Sequence, residues 1–373
     1  MFYTKFRNAA SACLLILLGI VTSLAQNPTP TPKVIDDENT VVKVTSHLVV
    51  VPVSVTDASG QPVPGLTLND FRIAEEGKTQ KLENIGSADK VPLEIVILFD
   101  VSASTDAMFK FEQDTAAQFL KDVMRSEDRA AVFTVGASPV LIQARDTAEK
   151  SAQAILSIKP TKDFTAFFDS IGAASDYLRK NAPLGTRRVV VVISDGEDTN
   201  SSHIAKAIQD GYKKAGEKVN TLDNKALYEL TVANRNAASA KERTRILQGL
   251  QNADTVFYSI NPAGSSFQLN KMSVYGQENM QQFADQTGGT AFLPKFQPID
   301  TKDDLMNISN TKKNTNTLEL IFRQLANELR AQYLVQYYSE SEFPVNKYVK
   351  LDVSLNNRGP LRVRARQGYF VKE

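Results

Sequence analysis

Four short apolar runs constrain this chain most: Ile95–Phe99, Ala130–Val135, Val189–Ile193 and Thr255–Ile260. Each is too short for a helix, rich in β-branched residues, and uninterrupted by the polar alternation of a half-exposed strand. That is the pattern of strands buried on both faces, as in a parallel sheet. Between them the spacing becomes helical: Phe109, Ala116, Phe119, Leu120, Val123 and Met124 share one face, and so do Phe167, Phe168, Ile171, Ala174 and Leu178. Strands alternating with helices predict an α/β fold with a doubly wound, mostly parallel sheet.

In such a sheet, ligands bind outside the carboxyl ends of the strands. The first run ends in Asp100-Val101-Ser102-Ala103-Ser104 and the third in Ser194-Asp195-Gly196, so Asp100 and Asp195 fall on the same sheet edge. Thr165 precedes a helix on another connecting loop of that edge. Two carboxylates and three hydroxyls, without sulfur or imidazole, suit a hard divalent cation, Mg2+ foremost, with Mn2+ and Ca2+ as alternatives. Two aspartates neutralise such an ion and leave a position for water or for an acidic side chain of a protein partner. The candidate metal ligands are thus Asp100, Ser102, Ser104, Thr165 and Asp195.

The amino terminus has the form of a secretory signal peptide: Lys5 and Arg7, an apolar run from Ala9, and Ser23-Leu24-Ala25 as the cleavage signal. The run is shorter than the roughly 20 residues that span a bilayer, and no later stretch is apolar enough to do so. Cleavage after Ala25 removes Cys13, the single cysteine, and takes the formal net charge from +1 to −1. The expected location is periplasmic or extracellular. A near-neutral chain argues against nucleic acid as a partner. With no thiol and only His47 and His203, zinc sites and Ser-His-Asp catalysis have little material to work with.

Asp100-x-Ser102-x-Ser104, Thr165 and the Ser194-Asp195-Gly196 turn resemble the metal-ion-dependent adhesion site of von Willebrand factor type A domains, over Leu93 to Pro294. A narrower resemblance spans nearly the whole mature chain. Val49 to Val55, Asp70-Phe71-Arg72 with Glu76-Gly77, and the ending Val363-Arg364-Ala365-Arg366-Gln367-Gly368-Tyr369 resemble exported type A-related proteins known mainly from Acidobacteria. The resemblance implies export and the type A fold and leaves the partner unnamed. Two features depart from the family: Phe164 stands where glycine is common before Thr165, and Ser201–Asn252 is a long helical excursion.

The predicted organisation is a signal peptide (1–25), a proline-rich linker (26–39), a β unit (40–90), the α/β domain (91–330, with a helical insertion at about 205–250) and terminal strands (331–373). The strands from both ends of the chain are expected to form an accessory antiparallel layer. Within it, Pro52 suggests an edge strand, Glu75–Lys78 the turn of a hairpin joining Phe71–Ala74 to Lys81–Ile85, and Val349–Leu355 a pair with Leu361–Ala365. Arg362, Arg364 and Arg366 read as a solvated face, Glu197 and Asp198 as solvated loop acids, and Asp106 and Asp169 as helix-capping groups. A non-enzymatic, cation-dependent protein-binding module is the leading reading. A metal-assisted hydrolase, or one using His203 with Ser194 or Ser201, stays open, as does a structural envelope protein with a vestigial metal site.

Overall fold

Alternation along the central strands decides which side chains face which helical layer. In the computed structural model, which describes residues 47–102, 106–161, 164–262, 271–299, 301–356 and 359–371, the apolar runs lie in one sheet. Its strands are β5 (Leu93–Asp100), β6 (Arg129–Val135), β7 (Val140–Asp146), β8 (Arg187–Ile193), β9 (Thr255–Ile260) and β10 (Ala291–Phe292). The order is β10-β9-β8-β5-β6-β7, parallel throughout except for β7, which runs antiparallel on the edge. The predicted α/β fold with its mostly parallel sheet is therefore present. The signal peptide, the linker, Cys13 and Ser104 lie outside the described residues.

Ile95, Ile97 and Phe99 face one core with α1 (Asp106–Val123), α2 (Ala148–Ser157) and α7 (Asp304–Arg330). Val96 and Leu98 face the other with α3 (Phe167–Asn181), α5 (Asn224–Asn252) and α6 (Lys271–Thr287). Both cores exclude water almost completely, and each large side chain buried there contributes about 1.5–3 kcal/mol. α4 (Ser202–Ala215) precedes α5, whose Ala238, Ile246, Leu247 and Leu250 are buried as in an ordinary crossover helix. α7 begins well before the apolar segment Leu318–Leu329 because buried asparagines hold its first half. Asn310 Nδ2 donates to the Pro298 carbonyl at 2.7 Å, while Asn314 exchanges hydrogen bonds with the Gln297 backbone at 2.8 and 2.9 Å.

Strand order reverses between β5 and β8. The chain leaves β5 toward β6 on one side and β8 toward β9 on the other. Asp100 ends β5 beside Val135, and Phe99 pairs with Ile193, the last residue of β8. The edge carrying Asp100 and Asp195 is thus the switch point where open α/β sheets form their clefts.

The two ends of the chain build the accessory antiparallel layer, as two facing sheets. One has the order β13-β1-β11-β4, from β1 (His47–Thr56), β4 (Leu82–Ser87), β11 (Tyr333–Ser339) and β13 (Arg362–Ala365). The other is β14-β12-β2-β3, from β2 (Phe71–Glu75), β3 (Lys78–Thr79), β12 (Tyr348–Leu355) and β14 (Gly368–Phe370). Val51, Val53, Ile73, Val335, Tyr337 and Leu351 pack between them. Two expected pairings are corrected. Lys78–Thr79 alone returns on β2, through a turn with positive φ at Glu76 and Gly77, and Leu82–Ser87 joins β11 in the facing sheet. β12 and β13 likewise enter opposite sheets, β12 pairing with β2 and β14 and β13 with β1. Pro52 lies on a central strand, at a point where β1 is paired only to β11, since the β13 ladder begins at Val53.

The arginines of the last strands are not all a solvated face. Arg366 donates to the Val50 carbonyl at 2.9 Å and pairs with Asp254 at 3.2 Å, and Arg364 donates to the Gly289 carbonyl at 3.1 Å. The bonds to Asp254 and Gly289 pin the sandwich to the α/β part within the unit Thr45–Glu373, while that to Val50 stays inside the sandwich.

Candidate metal centre

Asp100 leaves β5 with both carboxylate oxygens committed. Oδ1 accepts from the Ser102 amide at 2.9 Å and its hydroxyl at 2.7 Å, and Oδ2 accepts from the Ser194 hydroxyl at 2.5 Å. Ser194 Oγ in turn accepts the Gly196 amide at 3.0 Å, so one buried hydroxyl ties the end of β5 to the loop after β8. Asp195 Oδ1 accepts the Glu197 amide at 3.0 Å; its other oxygen has no hydrogen-bond partner among the described residues.

Thr165 is brought to the same loop by its backbone. Its amide donates to Thr199 Oγ1 at 2.8 Å, and its carbonyl accepts the amides of Thr199 and Asn200 at 2.8 and 3.0 Å. The Thr165 side chain is buried, and its hydroxyl has no hydrogen-bond partner among the described residues. Phe164 has no positive φ and sends its ring outward, so glycine is not required there. The structure thus gathers Asp100, Ser102, Thr165 and Asp195 at one sheet edge; of the five candidates, only Ser104 is outside the described residues.

The electrostatics of this edge are one-sided. Burial pushes the Asp100 carboxyl up against the hydrogen bonds from Ser194 and Ser102, and the Glu197 charge adds to the rise. Burial pushes Asp195 up to about 6, with the Asp100 and Glu197 charges adding to the rise. Glu112 of α1 is driven to about 8 by burial and by the charges of Asp100 and Asp195. No lysine or arginine offsets the charge of Asp195 or Glu112 among the described residues. Unpartnered oxygens and uncompensated carboxylates fit a hard cation: Asp100, Ser102, Thr165 and Asp195 would hold it.

Glu112 escaped the sequence reading because hydrophobic periodicity passes over charged residues. Its signal was a carboxyl inside the apolar stripe of α1, between Phe109 and Ala116. Asp198 is corrected from a solvated acid to a half-buried staple. Its carboxylate accepts the Phe168 amide at 3.0 Å and the Ser201 amide at 3.0 Å, and also bonds the Ser201 hydroxyl. Asp169 accepts the Ser202 amide at 2.8 Å, at the start of α4.

Asp169, His203 and Glu242 form a second group, with ligand-type atoms within 4.8 Å of one another. Glu242 Oε1 receives His203 Nδ1 at 3.2 Å and Arg245 Nε at 2.9 Å. Burial acts to raise its pKa, yet the bonds from Arg245 and His203 hold the carboxyl below its ordinary range. A guanidinium already compensates this trio, unlike the β5–β8 edge.

Residues 95–197 match the family model of the von Willebrand factor type A domain. This chain carries a type A domain. The match encloses Asp100, Thr165 and Asp195, together with the strands that place them. Solved structures are similar at low identity. An aerotolerance-related membrane protein of Bacteroides fragilis is 12% identical, covering 60% of this chain and 99% of its own, with a TM-score of 0.32. BatB of Bacteroides thetaiotaomicron is 13% identical over 60% of this chain and 99% of its own, TM-score 0.31. Proximal thread matrix protein 1 of the mussel byssus is 11% identical over 69% of this chain and 51% of its own, TM-score 0.40. No curated protein matches the chain.

Proposed function

We propose that this chain is an exported, non-enzymatic binding module that holds a divalent cation, Mg2+ foremost, at the β5–β8 edge. Asp100, Ser102, Ser104, Thr165 and Asp195 would hold the ion, which would supply a Lewis-acidic position for an acidic side chain of a protein partner. The observation that carries this reading is the carboxylate edge at the strand switch point, where no basic side chain among the described residues offsets Asp195. Export rests on the Lys5-to-Ala25 segment, and no helix among the described residues is long and apolar enough to cross a membrane. The likeness of the Val363–Tyr369 ending to that of exported type A-related proteins known mainly from Acidobacteria supports a place among them; its Arg364 and Arg366 bond Gly289 and Asp254 of the α/β domain.

Hydrolysis finds less support. Ser194 Oγ is bonded to Asp100 and Gly196, and Ser201 Oγ to Asp198 and the Asp169 amide, while His203 bonds Glu242. Neither serine is hydrogen-bonded to the imidazole that would activate it.

The test is a melting curve in chelator and with added Mg2+. A ligand at a hundred times its Kd stabilises the folded state by about 2.7 kcal/mol. Wild type is expected to gain in that way and Asp100→Ala to gain nothing. An equal response of the two proteins refutes the cation site. Loss by Asp100→Ala of a chelator-sensitive partner from the native envelope would extend the result to protein binding.

A further inference from the structure

Among the described residues, one set of three histidine, cysteine or acidic side chains brings its ligand-type atoms within 4.8 Å of one another: Asp169, His203 and Glu242. Each comes from a different helix. Asp169 lies in the first turn of α3, His203 at the start of α4 and Glu242 on α5. The set therefore joins the long α4–α5 excursion to a helix of the type A core.

Hydrogen bonds hold these side chains in place and leave donor atoms spare. Glu242 is 4% exposed. Its Oε1 takes every bond, from His203 Nδ1 at 3.2 Å, from Arg245 Nε at 2.9 Å and from Arg245 Nη2. Its Oε2 accepts none among the described residues. Asp169 is oriented by Ser202, whose amide donates to Oδ2 at 2.8 Å and whose hydroxyl donates to Oδ1 at 3.2 Å. Those donors are neutral and leave the Asp169 charge in place. Two carboxylates thus face one guanidinium, and beside a neutral imidazole the group keeps one net negative charge.

The spacing suits a metal as well as a hydrogen bond. Donor atoms on a tetrahedral zinc ion, each about 2.0–2.2 Å from it, lie about 3.3 Å from one another. His203 Nδ1 and Glu242 Oε1 are 3.2 Å apart. The His203 side chain is 58% exposed, so the ring can adjust to an incoming ion. A cleft of about 250 Å3 between α3 and α5 reaches Asp169 and Arg245 and opens an approach from solvent. Imidazole favours zinc over magnesium, and three protein ligands leave the fourth position to water.

We propose that Asp169, His203 and Glu242 form a second metal site, selective for Zn2+ over Mg2+, that clips the α4–α5 excursion to α3. It shares no ligand with the β5–β8 edge and takes a different class of ion. Zn2+ replaces the Nδ1 proton as the link between His203 and Glu242, and the imidazole proton resides on Nε2. Arg245 stays on Glu242 and orients the carboxylate.

The test is calorimetric titration of Zn2+ into the chelator-stripped full chain carrying Asp100→Ala, which removes a ligand of the first site. One equivalent is expected to bind, and adding His203→Ala should weaken it at least tenfold. His203→Gln, which can still bond Glu242 but offers no imidazole, should weaken it equally, whereas a merely structural histidine would be replaced without loss. Deuterium exchange at the α4 amides should slow on adding Zn2+ to the Asp100→Ala parent and stay unchanged in the His203 variants. Equal Zn2+ affinity in the folded His203 variants and their parent, or no Zn2+ binding by either, overturns the second site. Mg2+ titrated into wild type and into His203→Ala alone should give the same response; a response lost with His203 overturns the independence of the two sites. A wild-type chain that ignores Mg2+ yet binds Zn2+ through His203 refutes the β5–β8 reading and leaves this one standing.

Discussion

Gly276, near the start of α6, is no ligand in any reading, yet its replacement should damage the proposed cation site. Glycine inside a helix ordinarily costs about 1 kcal/mol relative to alanine, so Gly276→Ala would be a stabilising change on propensity alone. The packing reverses the sign. A Cβ at this position would lie 2.5 Å from the Gly196 carbonyl carbon, 2.6 Å from its oxygen and 2.8 Å from the Asp195 carbonyl oxygen. All three are backbone atoms, so no side chain can swing aside. Gly196 is itself at φ +77°, and its amide is held by Ser194. Overpacking of this kind costs about 1–3 kcal/mol, and relief requires α6 or the Asp195 loop to retreat. The expected result is a net loss of up to about 2 kcal/mol in chelator after the helix gain is subtracted. Displacement of Asp195 should add a weaker Mg2+ response. Denaturant unfolding with and without Mg2+ measures both. A Gly276→Ala protein more stable than wild type, with an unchanged Mg2+ response, would refute the reasoning.

Ser194→Ala should lose about 2–4 kcal/mol, since it removes a charge-assisted bond to Asp100 and leaves the Gly196 amide unpaired; denaturant midpoints check this. Glu328 supplies a pH test away from the proposed cation site. It is buried beside Thr290 and Gln324, and burial raises its carboxyl above the ordinary range despite their hydrogen bonds. A raised folded-state pKa means stability that is fully present below the unfolded value and lost as pH rises through the folded one. Glu328→Gln should therefore flatten the decline of the melting midpoint from acid pH toward neutrality; a wild-type slope in the variant would count against it.

The central sheet was legible because doubly buried strands leave unbroken apolar runs, and each such run appears as a strand. β7 was not. Val140, Leu141 and Ile142 are apolar yet exposed on an edge strand, where composition and burial part company. In the sandwich, alternation told which face of Val349–Leu355 is buried but not which sheet it enters, and both sheets present the same apolar pattern to one core. At the candidate site, strand ends located Asp100 and Asp195, because topology alone puts them on one edge. Asp198 and Glu112 stayed hidden, since whether an acid is solvated or buried depends on helices brought in from elsewhere in the chain.

The pairing of β1 with β11 and β13 also bears on how the molecule comes together. Val51 lies opposite Val335, and Val55 opposite Val363, so the earliest described strand closes its ladders only with some of the last. Such a closure carries the loop entropy of almost the entire chain and makes the sandwich a late, slow event in folding. Until then the alternating valines of β1 are an exposed apolar edge. Their protection during synthesis and transit falls to whatever holds the chain open, and a ribosome that stops short of residue 362 would release a type A sheet with an unfinished second layer.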